Sequence, residues 1–323
     1  MPAISPLVAL ALVVVGIAAL AAGGELLVRG AVSLARALRV STAVIGLTVV
    51  AAGTSMPELA VSLFASLQGK ADIAVGNVVG SNIFNVAAIL GIAALLAPMV
   101  VHLTAVRLEW PVMAIVSVGF LLLARDGIID RLEGGVLLVV LIGFTTYMIR
   151  LARRHTTPED AAAFATSVDG WTGQGRRLAV DLGLVAGGVI LLVGGAQVLV
   201  RGAATLATAA GLSERVVGLT IVAAGTSMPE LAASLVAARR KQAGIALANV
   251  IGSNIFNLAG ILGLVSVVTP QRVNSAIIHS DNWWMVGFAI VLFPIIRSGM
   301  RIGRGEGAVL LAAYGVYLAL LLR

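Results

Sequence analysis

The chain has 323 residues, of which 59% are hydrophobic and only 11% are charged, and its mean hydropathy is +1.05. This composition excludes a soluble globular protein and indicates a polytopic membrane protein, and the absence of cysteine excludes disulfides and thiolate metal sites. The formal net charge of +7 comes from short basic clusters between apolar segments, a pattern that reports membrane orientation and not a surface for nucleic acid.

Ten apolar segments follow one another along the chain, each near the ~20 residues that a bilayer needs. They cover residues 4–28, 41–68, 71–98, 104–124, 128–150, 178–201, 204–238, 243–269, 277–296 and 307–322. The seventh segment is long enough to contain a break or a strong tilt. We therefore predict an all-α polytopic membrane protein with ten transmembrane helices.

The two halves of the chain repeat each other at an offset of 172 positions. Residues 53–60, Gly-Thr-Ser-Met-Pro-Glu-Leu-Ala, recur unchanged as residues 225–232, and residues 77–85 recur as 249–257 with one change, Val79 to Ile251. Because five spans per half is an odd number, the second half enters the membrane from the opposite side. We predict two inverted five-helix repeats, residues 1–150 and 178–323, joined by a linker at 151–177.

The basic residues predict the orientation of the chain in the cell membrane. With the amino terminus outside, fifteen Lys and Arg residues fall at the cytoplasmic ends and loops and seven at the outer ones. Cytoplasmic loops carry the excess of basic residues in membrane proteins. Both termini are therefore expected outside, and the 151–177 linker is expected in the cytoplasm.

Glu58 and Glu230 each lie within an apolar segment of helix length. A carboxylate in the hydrocarbon core is costly, so such residues usually serve function. The proline before each glutamate removes a backbone donor and frees carbonyl groups in the preceding turn. Carboxylates, hydroxyls and free carbonyls together form the ligand set of a hard cation.

Polar stripes accompany each glutamate. Helical spacing places on one face Ala51, Thr54, Ser55 and Glu58 in the second span, and Asn77, Ser81 and Asn85 in the third. The second half repeats both stripes with Ala223, Thr226, Ser227 and Glu230, and with Asn249, Ser253 and Asn257. Four stripes that avoid lipid must face one another, which brings the two glutamates together. Packing between helices is the alternative role for the serines and threonines, and we assign Asn82 and Asn254, which lie off the stripes, to packing or backbone capping.

Two facing glutamates repel each other unless a cation lies between them, and a divalent cation neutralises the pair. Oxygen ligands favour Ca²⁺ or Na⁺ over zinc or copper, which prefer histidine or cysteine. All three histidines lie at span ends or in loops. The sequence thus predicts a central site for a hard cation.

The motifs Gly-Thr-Ser-x-Pro-Glu and Gly-Asn-x-x-Gly-Ser-Asn-Ile-x-Asn resemble the α-repeats of prokaryotic sodium/calcium exchangers of the cation/calcium exchanger superfamily. The second copy has Ala248 in place of the first glycine, Gly76. The resemblance covers both halves and implies alternating access, in which Na⁺ moves in and drives Ca²⁺ out.

The resemblance also implies a role for each site residue. Glu58 and Glu230 would be the central ligands shared by Ca²⁺ and Na⁺, with oxygen atoms from Thr54 and Thr226, and Asn85 and Asn257 would be the middle pair. An inner Na⁺ position would use the Ala51 carbonyl, Ser81, Ser227 and Glu230. Its outer mirror would use the Ala223 carbonyl, Ser55, Ser253, Thr226 and Glu58.

Some relatives, including potassium-dependent exchangers, carry Asp at the position of Asn257. Here the site holds two negative charges, so it is neutral with one Ca²⁺ and would be +1 with three Na⁺. This favours electrogenic exchange of about three Na⁺ per Ca²⁺, independent of K⁺. Ca²⁺ and Na⁺ are cargo, no cofactor and no nucleic acid is expected, and the sequence leaves the oligomeric state open.

Three other functions compete with this hypothesis. A proton/calcium or other divalent cation exchanger is the alternative within transport, because paired glutamates also accept protons. A channel is disfavoured because the polar stripes occupy the middle of the spans and their ends are apolar. A membrane hydrolase using Ser55 or Ser227 is disfavoured because no His or Lys lies in a span to activate the hydroxyl, so no enzyme activity is expected.

Overall fold

The computed structural model describes residues 5–37, 42–155, 178–209, 223–240 and 242–321. Within these residues, seven helices are long and apolar enough to cross a membrane, or eight when one bent pair counts as a single span. The chain is therefore a mostly helical, multi-pass membrane protein. The count of ten spans stays a prediction, in part because residues 210–222 of the seventh segment and 156–177 of the linker lie outside the described residues.

The first half has helices over all five predicted segments, and its first helix continues to Ala37, past the predicted end at residue 28. Its elements are α1 (Pro6–Ala37), α2 (Thr42–Ile45), a π-helical turn (Gly46–Val50), α3 (Ala51–Thr54), α4 (Met56–Leu67), α5 (Ala71–Phe84), a π-helical turn (Asn85–Ile89), α6 (Leu90–Leu96), β1 (Met99–Val100), a π-helical turn (Ala105–Glu109), α7 (Trp110–Leu123), a 3₁₀ turn (Ala124–Asp126), β2 (Ile128–Ile129) and α8 (Arg131–His155).

The second half repeats this order where it is described. Its elements are α9 (Leu178–Ala209), α10 (Ala223–Thr226), α11 (Met228–Arg239), α12 (Ala243–Ile255), a π-helical segment (Phe256–Leu262), α13 (Gly263–Val268), β3 (Gln271–Arg272), a π-helical turn (Ile277–Asp281), α14 (Asn282–Arg297), β4 (Arg301–Ile302) and α15 (Arg304–Leu321).

The long helices α1 and α9 pack against each other through glycine. A Cβ atom at Gly188 would lie 2.6 Å from the backbone nitrogen of Leu27, and one at Gly16 would lie 2.7 Å from that of Leu199. These two contacts are related by the 172-residue offset with the halves exchanged. The helices run antiparallel and approach closely because small residues let membrane helices bring their backbones together.

Two short ladders join the halves at the loops. Strand β1 pairs antiparallel with β4, and β2 pairs antiparallel with β3. Each ladder thus ties a loop of one half to a loop of the other. The sequence carries no signal for them, because a strand of two residues is too short to show alternation.

The pseudo-symmetry is broken where α1 meets α11. A Cβ atom at Gly24 would lie 3.1 Å from Val236 Cγ2, and Glu25 forms ion pairs with Arg29 and with Arg240 at the end of α11. The residue equivalent to Val236 in the first half is Phe64, which is 64% exposed. Helix α11 therefore buries a surface against α1, whereas the equivalent surface of α4 is exposed.

Candidate functional site

A break in the helix places each glutamate at the start of a new helix. Helix α3 ends at Thr54, α4 begins at Met56, and the axes on the two sides of Ser55 are bent by 50°. Pro57 fits the first turn of α4 because that turn needs no backbone donor. Glu58 therefore lies in the first turn, where exposed backbone N–H groups favour a carboxylate.

The second half builds the same break around Ser227, between α10 and α11. Ser227 has φ −89° and ψ 9°, close to the φ −82° and ψ 10° of Ser55. Glu230 again lies in the first turn of the helix that follows. Both glutamates and both serines are fully buried.

The two halves exchange hydrogen bonds at this point. Ser227 Oγ donates to Glu58 Oε1 at 2.8 Å, and Ser55 Oγ donates to Glu230 Oε1 at 2.7 Å. Each serine therefore binds the glutamate of the other half, as expected if the polar stripes face one another.

Helices α5 and α12 add a second serine to each carboxylate. Ser81 Oγ lies 3.4 Å from Glu58 Oε1 and 3.0 Å from Ser227 Oγ, and Ser253 Oγ lies 3.5 Å from Glu230 Oε1. Each glutamate thus uses one oxygen, Oε1, to accept from two serines.

The hydrogen bonds divide the four serines between the two glutamates. Ser81 and Ser227 donate to Glu58, and Ser55 and Ser253 donate to Glu230. Ser55 and Ser227, which lie at the breaks, donate to the glutamate of the other half, whereas Ser81 and Ser253 donate to the glutamate of their own half.

Both threonines contact an asparagine of the other half. Thr54 Oγ1 lies 3.3 Å from the Ala51 carbonyl oxygen and 3.3 Å from Asn249 Oδ1, and Thr226 Oγ1 donates to Asn77 Oδ1 at 3.3 Å. Ala223 is the first residue of α10, and the residues before it lie outside the described part of the chain.

Asn77 and Asn249 have a role that the sequence analysis did not assign to them, although it placed both on the stripes. Asn77 Nδ2 donates to the Glu58 backbone carbonyl at 3.2 Å and to Ser62 Oγ at 3.0 Å. Asn249 makes the equivalent bonds to Glu230 and Ser234. The signal that could have found them is their repetition one turn before Ser81 and Ser253.

Four oxygen atoms of the site are buried and have no hydrogen-bond partner among the residues that the structure describes. They are Glu58 Oε2, Glu230 Oε2, Asn85 Oδ1 and Asn257 Oδ1, which we call the oxygen quartet. Asn85 and Asn257 lie one helical turn after Ser81 and Ser253, the serines that contact the carboxylates.

The quartet has the chemistry of a hard-cation site. A buried acceptor without a donor costs free energy, and a cation satisfies several acceptors at once. Unpartnered buried atoms also occur elsewhere in the described ranges, on Glu109, Asp181, Ser266, Gln271 and Asn282. For none of these five does the equivalent residue of the other half also carry an unpartnered buried atom.

The site has a net charge of −2 from its side chains when both carboxylates are ionised. Within residues 5–37, 42–155, 178–209, 223–240 and 242–321, neither Glu58 nor Glu230 forms an ion pair with Lys or Arg. In the same ranges no group of three or more His, Cys, Asp or Glu converges. The protein thus supplies two negative charges and neutral oxygens, which suits Ca²⁺ or Na⁺ better than zinc or copper.

Comparison with known proteins gives a consistent result. The sequence profile of the family described as sodium/calcium exchanger protein matches residues 8–150 and 180–323. The chain is 33% identical to the sodium/calcium exchanger MaX1 of Methanosarcina acetivorans, covering 96% of this chain and 97% of that one. It is 35% identical to the inner membrane protein YrbG of Escherichia coli K12, covering 98% and 97%.

A solved structure of the sodium-calcium exchanger NCX_Mj, soaked with zero Na⁺ and Ca²⁺, has the same fold. It superposes with a TM-score of 0.83 at 30% sequence identity, covering 98% of this chain and 100% of that one. The likeness therefore extends over both halves.

Proposed function

Because the chain belongs to the sodium/calcium exchanger family, whose members are transporters and not enzymes, we propose that it exports Ca²⁺ across the cell membrane in exchange for Na⁺. The observation that carries the proposal is the oxygen quartet, which offers two carboxylate and two amide oxygens in the middle of a membrane protein. The names of MaX1 and NCX_Mj point to the same pair of ions.

The ligands of the proposal follow from the site. Ca²⁺ would bind at the quartet, where the glutamates cancel its charge. Na⁺ ions would use the glutamates together with the flanking oxygens, which are those of Thr54, Thr226, Ser55, Ser227, Ser81 and Ser253 and the carbonyls of Ala51 and Ala223. No cofactor is needed, because the ions are cargo.

The charge of the site supports a stoichiometry. Two carboxylates with one Ca²⁺ sum to zero, and with three Na⁺ they sum to +1, so a 3:1 exchange moves one net charge. Asn257 adds no third carboxylate, which supports exchange without K⁺.

Ten spans in two inverted repeats would give this site alternating access. The repeats are residues 1–150 and 178–323, with both termini outside and the 151–177 linker in the cytoplasm. The exchanged contacts of α1 and α9 support an inverted pair. Helix α11 packs against α1, whereas the equivalent surface of α4 is exposed. This difference supports a protein whose site is closed towards one side of the membrane and not towards the other.

A proton/calcium exchanger is the second candidate. It is favoured by the two buried glutamates, which lack a basic partner in the described residues and could be neutralised by protons as well as by Na⁺.

The test is uptake of radiolabelled Ca²⁺ into proteoliposomes loaded with Na⁺, K⁺ or choline at fixed pH. We expect uptake only with internal Na⁺, and loss of uptake in Glu58→Gln and Glu230→Gln. The matched control is Glu306→Gln, which removes a carboxylate outside the site and keeps an oxygen that can accept from the Gly303 backbone amide. Uptake driven equally by a pH gradient without Na⁺ would establish the proton exchanger instead, and uptake without any gradient would refute antiport.

A further inference from the structure

Two buried asparagines, Asn82 and Asn254, form hydrogen bonds between the two halves next to the site. Asn82 Nδ2 donates to the backbone carbonyl of Asn254 at 3.3 Å, and Asn254 Nδ2 donates to that of Asn82 at 3.3 Å. A backbone carbonyl can only accept a hydrogen bond, so each amide must direct its nitrogen towards the partner helix. The amide oxygen of each side chain is therefore forced to the other side.

Those two oxygens hold the ligand amides of the site. Asn85 Nδ2 donates to Asn254 Oδ1 at 3.0 Å, and Asn257 Nδ2 donates to Asn82 Oδ1 at 3.1 Å. Since an oxygen faces each ligand amide, that amide must present its nitrogen there. Its own oxygen then points away, and this is the oxygen that belongs to the quartet.

We propose that Asn82 and Asn254 are positioning residues that fix the polarity of Asn85 and Asn257, so that an oxygen and not an NH₂ group faces the cation. The inference rests on the proposed function and deepens it. The first hydrogen bond of each chain, from the Asn82 or Asn254 side chain, ends on a backbone carbonyl, which can only accept. This bond fixes the orientation of both amides that follow.

The need for such a device comes from the shape of asparagine. The two ends of its amide are nearly the same size, so packing alone does not choose between them. A flipped Asn85 would set its oxygen against Asn254 Oδ1, leaving two buried acceptors without a proton and turning a donor towards the cation.

Two methionines complete the arrangement. Met113 Sδ lies 3.7 Å from Asn254 Nδ2, and Met285 Sδ lies 3.8 Å from Asn82 Nδ2. They occupy equivalent positions in the two halves and are weak acceptors, so each gives the second N–H of its asparagine a partner. Both hydrogens of each Nδ2 are thereby used, which leaves the side chain one orientation.

The test is a double-mutant cycle on the full chain in proteoliposomes. The half-maximal Ca²⁺ concentration for Na⁺-driven uptake is measured for the wild type, Asn254→Leu, Asn85→Ala and the double variant, with thermal unfolding as a check of folding. Asn254→Leu keeps the number and branching of the side-chain heavy atoms and removes the acceptor. We expect each single change to raise the half-maximal concentration about tenfold, the scale of one hydrogen bond to a charged group.

The double variant separates positioning from packing. If Asn254 acts through Asn85, the double variant is no worse than about tenfold, because the oriented oxygen is already lost. Independent damage would multiply to about a hundredfold and would overturn the inference. If Asn254→Leu does not fold, Asn254→Ala gives the same cycle with a smaller side chain that also lacks an acceptor.

Two controls keep this inference apart from the proposed function. We call the hydrogen bonds among Asn82, Asn254, Asn85 and Asn257 the asparagine relay. Ser266→Ala removes a buried hydroxyl of α13 outside this relay and is expected to leave the half-maximal concentration unchanged. A wild type that shows no Na⁺-driven uptake refutes the proposed function, whereas a wild type that exchanges and a multiplicative cycle refute the relay alone.

Discussion

Replacing Glu58 by glutamine should change stability in opposite directions with and without Ca²⁺. The carboxylate is fully buried, has no ion-pair partner among the described residues, and faces a second carboxylate in the same site. Removing one of two unpaired buried charges relieves repulsion and desolvation, so we expect the variant to be more stable without cation by about 1–3 kcal/mol. The glutamine side chain can still accept from Ser227 and Ser81 through its amide oxygen.

With Ca²⁺ the sign reverses. A Ca²⁺ ion in the variant would be left with one carboxylate, and breaking a buried charge pair costs about 3–5 kcal/mol, equivalent to a loss of affinity of more than about a hundredfold. The assay is thermal unfolding in detergent with a chelator and with millimolar Ca²⁺. We expect the wild type to gain stability with Ca²⁺ and Glu58→Gln to gain none.

Two outcomes would refute the reasoning. A variant less stable than the wild type in chelator would mean that the Glu58 charge is compensated within the protein. A variant still stabilised by Ca²⁺ to the wild-type extent would mean that Glu58 is not a ligand. Glu306→Gln is the control, and it should respond to Ca²⁺ like the wild type.

Three further outcomes are expected. Gly188→Ala should lower the unfolding temperature, because the added Cβ clashes with the Leu27 backbone at a cost of about 1–3 kcal/mol. Gly187→Ala is the control, since its added Cβ meets open space, and it should not lower the unfolding temperature. Equal effects of the two changes would contradict the α1–α9 packing. Acidification should raise the half-maximal Ca²⁺ concentration for uptake, because protons compete for the two glutamates, and a flat profile from pH 8 to about pH 5 would count against them as ligands. Asn257→Asp should make Ca²⁺/Ca²⁺ exchange sensitive to membrane potential, because the Ca²⁺-loaded site changes from neutral to −1, whereas the wild type should be insensitive.

The sequence was sufficient for the main outline of the fold and for the residues that the structure brings together around Glu58 and Glu230. Apolar segments of spanning length and an exact repeat are visible in the sequence, so the helical segments and the pairing of Glu58 with Glu230 could be predicted without coordinates. The ends of α1 and α9 were wrong, because these helices continue to Ala37 and Ala209, past the predicted ends at residues 28 and 201. The break at Ser55 also followed from Pro57 and its neighbours, because a missing donor has a local consequence.

The direction of each hydrogen bond could not be read in this way. The bond from Ser227 to Glu58 depends on how two distant helix breaks face each other, and spacing within one helix does not contain that information. The relay through Asn82 was hidden for the same reason, since its origin is a backbone carbonyl of the other half. The closed junction at Gly24 was also missed, because the repeat predicts symmetry and the structure departs from it.

The most direct test of the central claim is a crystal structure of the chain soaked with Ca²⁺, with anomalous diffraction data to locate the ion. We expect one anomalous peak within about 2.3–2.6 Å of Glu58 Oε2 and Glu230 Oε2, with Asn85 Oδ1 and Asn257 Oδ1 turned towards it. A Ca²⁺ peak elsewhere, or Asn85 and Asn257 with nitrogen towards the ion, would contradict the account.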